Sequence, residues 1–455
     1  MTVEKPAAGV RTYGGLNILR HLASLGAHPA AVAYSMTTLG AGMINSIFSF
    51  YYVKLFINKY KISEGAFHQS QVVYMVWNAV NDPLFGYLQD NSHVPCFSQR
   101  RLSILYGAPF YAIYAPGDWM SGVHLMVALC AFDGMLTFVL LAQCALFAEI
   151  SGHHQSRLRL IKYNQVASLI GSSSVLFCGL LSQNMDDFPS FQGFTVLVAV
   201  LACGCMIYTG LHSKSRFDTK GSAPGSNYQG SGQSTLSFSL VFMVAFCNNF
   251  TMIFAEHLIP PNVLPSLAKS FMYGAGFICP QLVVLSSQSL LHGLGYYKII
   301  LLTFYVEAGM AAVMLVLGPH HYYILAFFLT ANMVLVQAAF SLFNLPLADI
   351  IDSDLQRHKR SSPLSSMVFG TNALFTKPAQ SLAPMLVVSI LNQFGYENLK
   401  DAGRDANPSD LEALHTTMFY LVCVVPMCVA ALQVSAWKPF SIRNSHTVDT
   451  MYIDG

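Results

Sequence analysis

Long apolar blocks separated by short polar ones run the length of this 455-residue chain. Twelve of them fall near residues 29–53, 71–88, 102–117, 121–149, 163–183, 192–212, 238–258, 266–291, 298–318, 322–346, 363–393 and 414–437. Most reach the roughly 17–25 residues that a helix needs to cross a bilayer, and the block at 102–117 is the short one. In hydrocarbon the backbone must satisfy its own hydrogen bonds, so segments of this length are predicted as helices. The pattern breaks most widely at 213–237, where Lys214, Arg216, Asp218 and Lys220 lead into a Gly/Ser-rich run that cannot bury a core. The predicted organisation is an N-terminal segment (1–28), a six-helix bundle (29–212), a flexible connecting segment (213–237), a second six-helix bundle (238–437) and a tail (438–455). Transporters built from two related bundles place their site between them.

Composition and charge sharpen this picture. Charged residues are 10% of the chain and apolar ones 54%, against about 25% charged in soluble domains. If both termini share one side, that side holds 17 of the 24 basic residues and the other holds 6, with Lys377 left inside the eleventh segment. The positive-inside bias then puts both termini and the connecting segment in the cytoplasm, with the plasma membrane expected over an internal one. Residues 1–28 lack the charged start, apolar core and small-residue site of a cleavable signal, so the first span is expected to serve as an uncleaved one. The ten cysteines lie mostly within apolar segments without metal spacing, which reads as packing. His153-His154 and His320-His321 have no acidic or thiol companions, so no metal or cofactor is expected. No nucleophile–base arrangement or phosphate loop is visible, which argues against an enzyme and against a nucleic-acid partner.

The candidate chemistry is the small set of ionisable groups at membrane depth, where an isolated charge costs several kcal/mol and a cavity or partner is needed. Asp82 lies inside the second segment, in Trp77-Asn78-Ala79-Val80-Asn81-Asp82-Pro83-Leu84-Phe85-Gly86-Tyr87-Leu88-Gln89-Asp90. Lys377 lies in Phe375-Thr376-Lys377-Pro378 of the eleventh. Together the two charges nearly cancel, so each is expected to be the other's principal charged partner. Three readings stay open: a fixed clamp between segments 2 and 11, a pair that opens when solute or a proton binds, or a neutral carboxylic acid with Lys377 facing water. Asp133 in the fourth segment is a further cavity candidate, whereas Glu307 in the ninth is expected to be peripheral. Glu256-His257, at the end of the seventh, could respond to protons or cap a helix. Glu149 and Asp349 are expected in salt bridges with Arg157, Arg159 or Arg357. Asn78, Asn81, Asn164, Gln165, Ser168, Asn248, Asn249, Asn372, Thr376 and Gln380 concentrate on segments 2, 5, 7 and 11, which favours a wettable central cavity.

Three blocks carry a family resemblance. Asn81-Asp82-Pro83-Leu84-Phe85-Gly86 with Asp90 and Arg100-Arg101, then Ala348-Asp349-Ile350-Ile351-Asp352, then Lys377, resemble in order and spacing the melibiose-permease-like branch of the major facilitator superfamily, the glycoside–pentoside–hexuronide:cation symporters. Phe132-Asp133-Gly134-Met135-Leu136-Thr137, Ala148-Glu149 and Phe254-Ala255-Glu256-His257-Leu258 look like its transmembrane protein 180 group, also called major facilitator superfamily domain-containing protein 13. The resemblance implies an all-α membrane protein with twelve transmembrane helices in two six-helix bundles. It implies a gate in which Asp90 meets the start of segment 11, around 361–366, together with Arg100 and Arg101. Melibiose permease binds its cation with acids on helices 2 and 4, and its sugar with acids on helices 1 and 4 and an arginine on helix 5. The helix 1 acid, first helix 2 acid, helix 4 acid and helix 5 arginine fall here at Gly42, Asn78, about Leu140 and Asn164, while Asp82 and Lys377 are retained. Asp133 lies two helical turns before Leu140 on the same face.

A sodium ion prefers several hard oxygen ligands with more than one negative charge, which this set supplies poorly. The expectation is a secondary transporter of a small polar, sugar-like solute, without sodium coupling and with proton coupling open. Its cavity residues would be Asp82, Lys377, Asn78, Asp133, Asn164 and Asn372, its gate Asp90, Arg100 and Arg101, and its partners the solute and the lipid bilayer; the sequence leaves the oligomeric state open, a monomer included. The alternatives are a transporter-shaped receptor or scaffold, and a carrier of amphiphilic lipids.

Overall fold

The structure is a computed structural model that describes residues 28–56, 62–92, 94–107, 121–183, 185–217, 258–259, 263, 266–374, 377 and 408–440. Among these residues there is no strand. The first half contributes α1 (Pro29–Lys54), α2 (Glu64–Asn91), the short α3 (Pro95–Ser98), α4 (Arg100–Gly107), α5 (Ser121–Ile150), α6 (His154–Leu181) and α7 (Phe188–His212). The second contributes α8 (Ser266–Ser286), α9 (Gln288–Leu317), α10 (Tyr322–Leu342), α11 (Asn344–Arg357), α12 (365–374) and α13 (Pro408–Trp437). Six described stretches are long and apolar enough to cross a bilayer: Gly122–Ile150, His154–Leu181, Phe188–His212, Gln288–Leu317, Tyr322–Arg357 and Leu414–Trp437. The seventh predicted block, with Glu256-His257, and most of the eleventh lie outside the described residues, as does the end of the third.

Local chemistry sets the helix ends. Pro29 opens α1, where its missing N–H is no loss, and the Ser63 and Asp187 side chains accept from the Ala66 and Ser190 amides to cap α2 and α7. The helix α6 starts nine residues ahead of the apolar block predicted at 163–183, because its first turns carry His154, Gln155, Arg157 and Arg159. In α9, Gly295 (φ 77°, ψ 158°) interrupts the helix, so 296–317 is the continuous part that matches the predicted 298–318. That left-handed φ favours glycine.

In the first bundle α1 packs on α6 and α7, α2 on α5, and α4 on α5 and α7. In the second, α8 packs on α10, and α9 on α10 and α13. The halves meet where α6 touches α8 and α9 and where α5 touches α11. One buried apolar cluster runs through both, including Ile104, Leu141, Phe147, Leu158, Tyr296, Phe304, Leu347 and Trp437. Leu180, Val316 and Phe327 point outward, which for a spanning helix means contact with lipid. Two expectations need correction. Glu307 is not peripheral: it is 2% exposed, inside the second bundle. The connecting segment does not begin as a free tether either, because residues 213–217 lie against the end of α5.

A close backbone approach between halves joins α2 to α12. A Cβ on Gly86 would lie 2.7 Å from the Ser366 carbonyl oxygen, and one on Gly370 would lie 2.6 Å from the Asp82 carbonyl oxygen. Both obstacles are backbone, so a larger residue must push the helices apart, at about 1–3 kcal/mol for overpacking. Gly370→Val is therefore expected to lower the thermal denaturation midpoint of the purified protein. Gly65→Val, built into open space on α2, should leave it unchanged. Equal midpoints for the two variants would mean that α2 and α12 are not in contact.

Candidate functional site

At the level of Asp82, side chains from α2, α5 and the stretch after α12 converge on one ammonium group. Lys377 Nζ forms an ion pair with the Asp82 carboxylate and lies 4.0 Å from Asp133 Oδ1. It also donates to Thr137 Oγ1 at 3.1 Å and to Asn81 Oδ1 at 3.4 Å. Asn81 in turn donates through Nδ2 to Asp133 and, at 3.3 Å, to Thr137, while the Tyr74 hydroxyl donates to Asp133 at 3.5 Å. Asn81, Asp82, Asp133 and Thr137 are each no more than 7% exposed. The helical period explains the assembly: Tyr74 and Asn81 are two turns apart on α2, and Asp133 and Thr137 one turn apart on α5, so each pair shares a face. With all three groups ionised the cluster is one negative charge in excess.

On α2 and α12, three further polar atoms are buried without a partner among the described residues: Trp77 Nε1, Asn78 Oδ1 and Asn372 Oδ1. Asn78 stands one turn before Asp82 on α2, and the Trp77 ring packs beside Gly134 on α5. The structure places Asn164 in a different group. Thr38 of α1 donates to Asn164 Oδ1, and Gln143 of α5 donates to both, with 3.4 Å to Asn164. One turn further along α6, Ser168 accepts from Gln281 of α8 at 3.4 Å, across the halves.

The end of the bundle where α2, α5 and α7 finish is closed by buried charges. The Asp90 carboxylate accepts from the backbone amides of Ser366 (3.3 Å) and Met367 (2.6 Å) in the first turn of α12, and from Arg100 at 2.5 Å. The free amides and dipole of a helix N-terminus suit such a carboxylate. Gln89 beside it accepts from Ser366 Oγ at 2.8 Å and donates to the Phe138 carbonyl at 2.9 Å. Arg100 also donates to the Gln89 carbonyl (2.8 Å) and to Glu149 (3.0 Å). Glu149 thus pairs with Arg100, whereas Arg157 was among the partners expected for it. Arg157, 1% exposed, reaches from α6 to Asp349 (2.9 Å) and Asp352 (2.6 Å) on α11, and Tyr296 donates to the other oxygen of Asp349 at 2.7 Å. Arg101 packs its backbone carbonyl toward Gly210 of α7. Burial holds the Arg216 guanidinium below the usual arginine pKa, an effect that Asp352 beside it only partly offsets.

Sequence reasoning reached Asp82, Lys377, Asp133, Asp90, Arg100 and Arg157 through their charge. It gave no role to Tyr74 or Thr137 around the lysine, nor to Gln89 and Tyr296 at the closed end. The usable signal was spacing: Tyr74 and Thr137 share a helical face with Asn81 and Asp133.

The chain is similar to several known proteins along nearly its whole length. It is 29% identical to transmembrane protein 180 of Gallus gallus over 93% of this chain and 95% of that one, and 28% identical to transmembrane protein 180 of Mus musculus over 91% and 93%. Among solved structures, a bacterial homologue of the iron transporter ferroportin in the outward-facing state superposes with TM-score 0.63 at 13% identity, covering 91% of this chain and 100% of that one. The proton:xylose symporter XylE bound to 6-bromo-6-deoxy-D-glucose gives 0.61 at 12%, covering 91% and 95%. At these identities the structural likeness establishes the fold, that of the major facilitator superfamily. The model of the family described as MFS/sugar transport protein matches residues 33–437, and the chain belongs to that family.

Proposed function

We propose that this protein carries a small polar, sugar-like solute across the membrane by alternating access, with protons rather than sodium as the coupling ion. The observation that carries the reading is the position of Lys377 between Asp82 and Asp133. An ammonium there occupies the place in which a sodium ion would need those carboxylate oxygens as ligands. The remaining negative charge favours a proton, taken up most simply on Asp133, which lies 4.0 Å from Lys377 Nζ while Asp82 is in direct ion-pair contact with it. The unpartnered Trp77, Asn78 and Asn372 atoms supply a donor and two acceptors for solute hydroxyls, since leaving such groups buried and unpaired costs about 1–3 kcal/mol each. The basic-residue count supports placing the closed end in the cytoplasm.

Purified protein in liposomes, offered a panel of monosaccharides, disaccharides and polyols under imposed pH or sodium gradients, tests the proposal. Uptake of at least one solute, accelerated by an inward proton gradient and indifferent to sodium, is expected. Sodium-driven uptake would overturn the coupling assignment. Absence of uptake across the panel by a folded protein would favour the receptor or scaffold reading.

The charge cluster predicts an order among variants. Lys377→Met strands two carboxylates and should reduce folded yield most, by the 3–5 kcal/mol typical of an orphaned buried charge. Asp82→Asn leaves Lys377 with Asp133 at 4.0 Å and should be milder. The Asp82→Asn/Lys377→Met double variant should recover yield relative to Lys377→Met alone. Size-exclusion profiles of detergent-extracted protein read all three, and a double variant worse than either single would dismiss the pair as a mutual partner.

Asp133→Asn is expected to fold and to transport, but with uptake no longer responsive to the proton gradient. Retention of the full wild-type proton response in Asp133→Asn would assign coupling to another group.

A further inference from the structure

The residues that follow α7 fold back onto the first bundle instead of leaving it. The Ser215 hydroxyl donates to Glu149 Oε2 at 2.9 Å. Arg216 donates from its backbone amide (3.3 Å) and from Nε (3.0 Å) to the Glu149 carbonyl, and from a terminal nitrogen to the Ala148 carbonyl at 3.3 Å. These carbonyls are among the last four of α5, which have no partner within the helix. Phe217 stacks on the Arg216 guanidinium with 5.5 Å from Cζ to the ring centroid. So fixed, the guanidinium lies 3.8 Å from Asp352 Oδ1 on α11, in the other half, beside the Arg157–Asp352 contact.

We propose that Arg216 is a gate residue supplied by the connecting segment, and that residues 213–217 act as a strap whose docking on α5 holds it against Asp352 when this end of the carrier is closed. The inference presumes that the protein alternates between closed and open states at this end, but it requires neither a solute nor a coupling ion. The contacts to Glu149 and Ala148 lie within the first half and persist in either state. The contact to Asp352 crosses halves and exists only when they meet. Arg157 carries the stronger part of that crossing, since it is buried while the Arg216 side chain is 43% exposed and a solvated ion pair is weak. Arg216 therefore sets the balance between states rather than creating the closed one. Because the strap is the first part of the connection between bundles, anything that lifts the connecting segment also withdraws an arginine from Asp352.

Spin labels on genetically encoded residues at Gln155 and Gln356, exposed on α6 and α11 at the closed end, report the separation of the halves by pulsed electron resonance without solute. Arg216→Ala is expected to raise the ratio of separated to closed molecules up to about fivefold, the range of one lost solvent-exposed ion pair. Arg216→Lys should fall between Arg216→Ala and wild type, and Lys214→Ala, on the exposed neighbour, should match wild type. Should Arg216→Ala fail to yield folded protein, Ser215→Ala, which only loosens the strap, must shift the ratio in the same direction. A distance distribution unchanged from wild type in folded Arg216→Ala, or in Ser215→Ala where that variant decides, would overturn the proposal. Neither outcome depends on whether the transport assay finds a solute, so the two readings fail separately.

Discussion

Lys377 meeting Asp82 is the contact that the centre of this molecule is arranged around, because neither charge is tolerable alone at that depth. An ammonium in hydrocarbon costs several kcal/mol, and here it is returned by two carboxylates, a hydroxyl and an amide drawn from α2 and α5. The contact also fixes how the halves sit, since Lys377 follows α12 in the second half and its partners belong to the first. The close approach of Gly86 and Gly370 to backbone carbonyls follows from the same requirement. A lysine side chain reaches only so far, so α2 and α12 must run nearly in contact for Nζ to arrive between Asp82 and Asp133.

The closed end uses the same physics with arginine. Arg100 binds Asp90, Glu149 and the Gln89 carbonyl, and Arg157 binds Asp349 and Asp352. The planar guanidinium presents several donors in fixed directions, which lets one buried cation serve several acceptors where a lysine could not hold the geometry. The two arginines divide the work. Arg100 orders the first half's own loop and leaves Asp90 to touch α12 through backbone amides. Arg157 crosses to α11 directly. Separating the halves would uncover acceptors on both sides, to be satisfied by water at the membrane surface. The closed end can therefore open at acceptable cost, whereas the Lys377 cluster, deeper in, requires a replacement partner before it can part.

The fold was readable from block lengths, because apolar runs of spanning length in this composition admit few architectures. Boundaries were less readable where helices begin in polar sequence. Residues 154–162 of α6 carry Arg157, Arg159 and Lys162, so hydropathy alone places the start too late, yet Arg157 is among the most buried residues of the chain. Charged site residues were visible individually, because a charge in an apolar run is conspicuous. Their uncharged companions were not: a threonine or tyrosine in a membrane helix is common, and only the three-dimensional meeting of α2 with α5 gives Thr137 and Tyr74 their roles. Asn164 stands apart from the charged cluster, tied to Thr38 and Gln143, a grouping that the apolar pattern did not show. Arg216 counted only toward the orientation bias, and nothing in a Gly/Ser-rich context announces that the segment starts by docking on α5.

A tethered cation changes what coupling can mean in such a site. A free ion bound between two carboxylates travels with the solute and delivers the energy of its gradient. Lys377 is bonded to the chain, so the charge with which it balances Asp82 contributes no gradient. Under the proposed coupling the driving ion acts on the charge left over, which in this cluster resides on the Asp82–Asp133 pair after the lysine has balanced one of them. A proton is small enough to enter there without displacing Nζ from Thr137 or Asn81. A sodium ion would have to expel the ammonium from the carboxylate, hydroxyl and amide oxygens that now surround it.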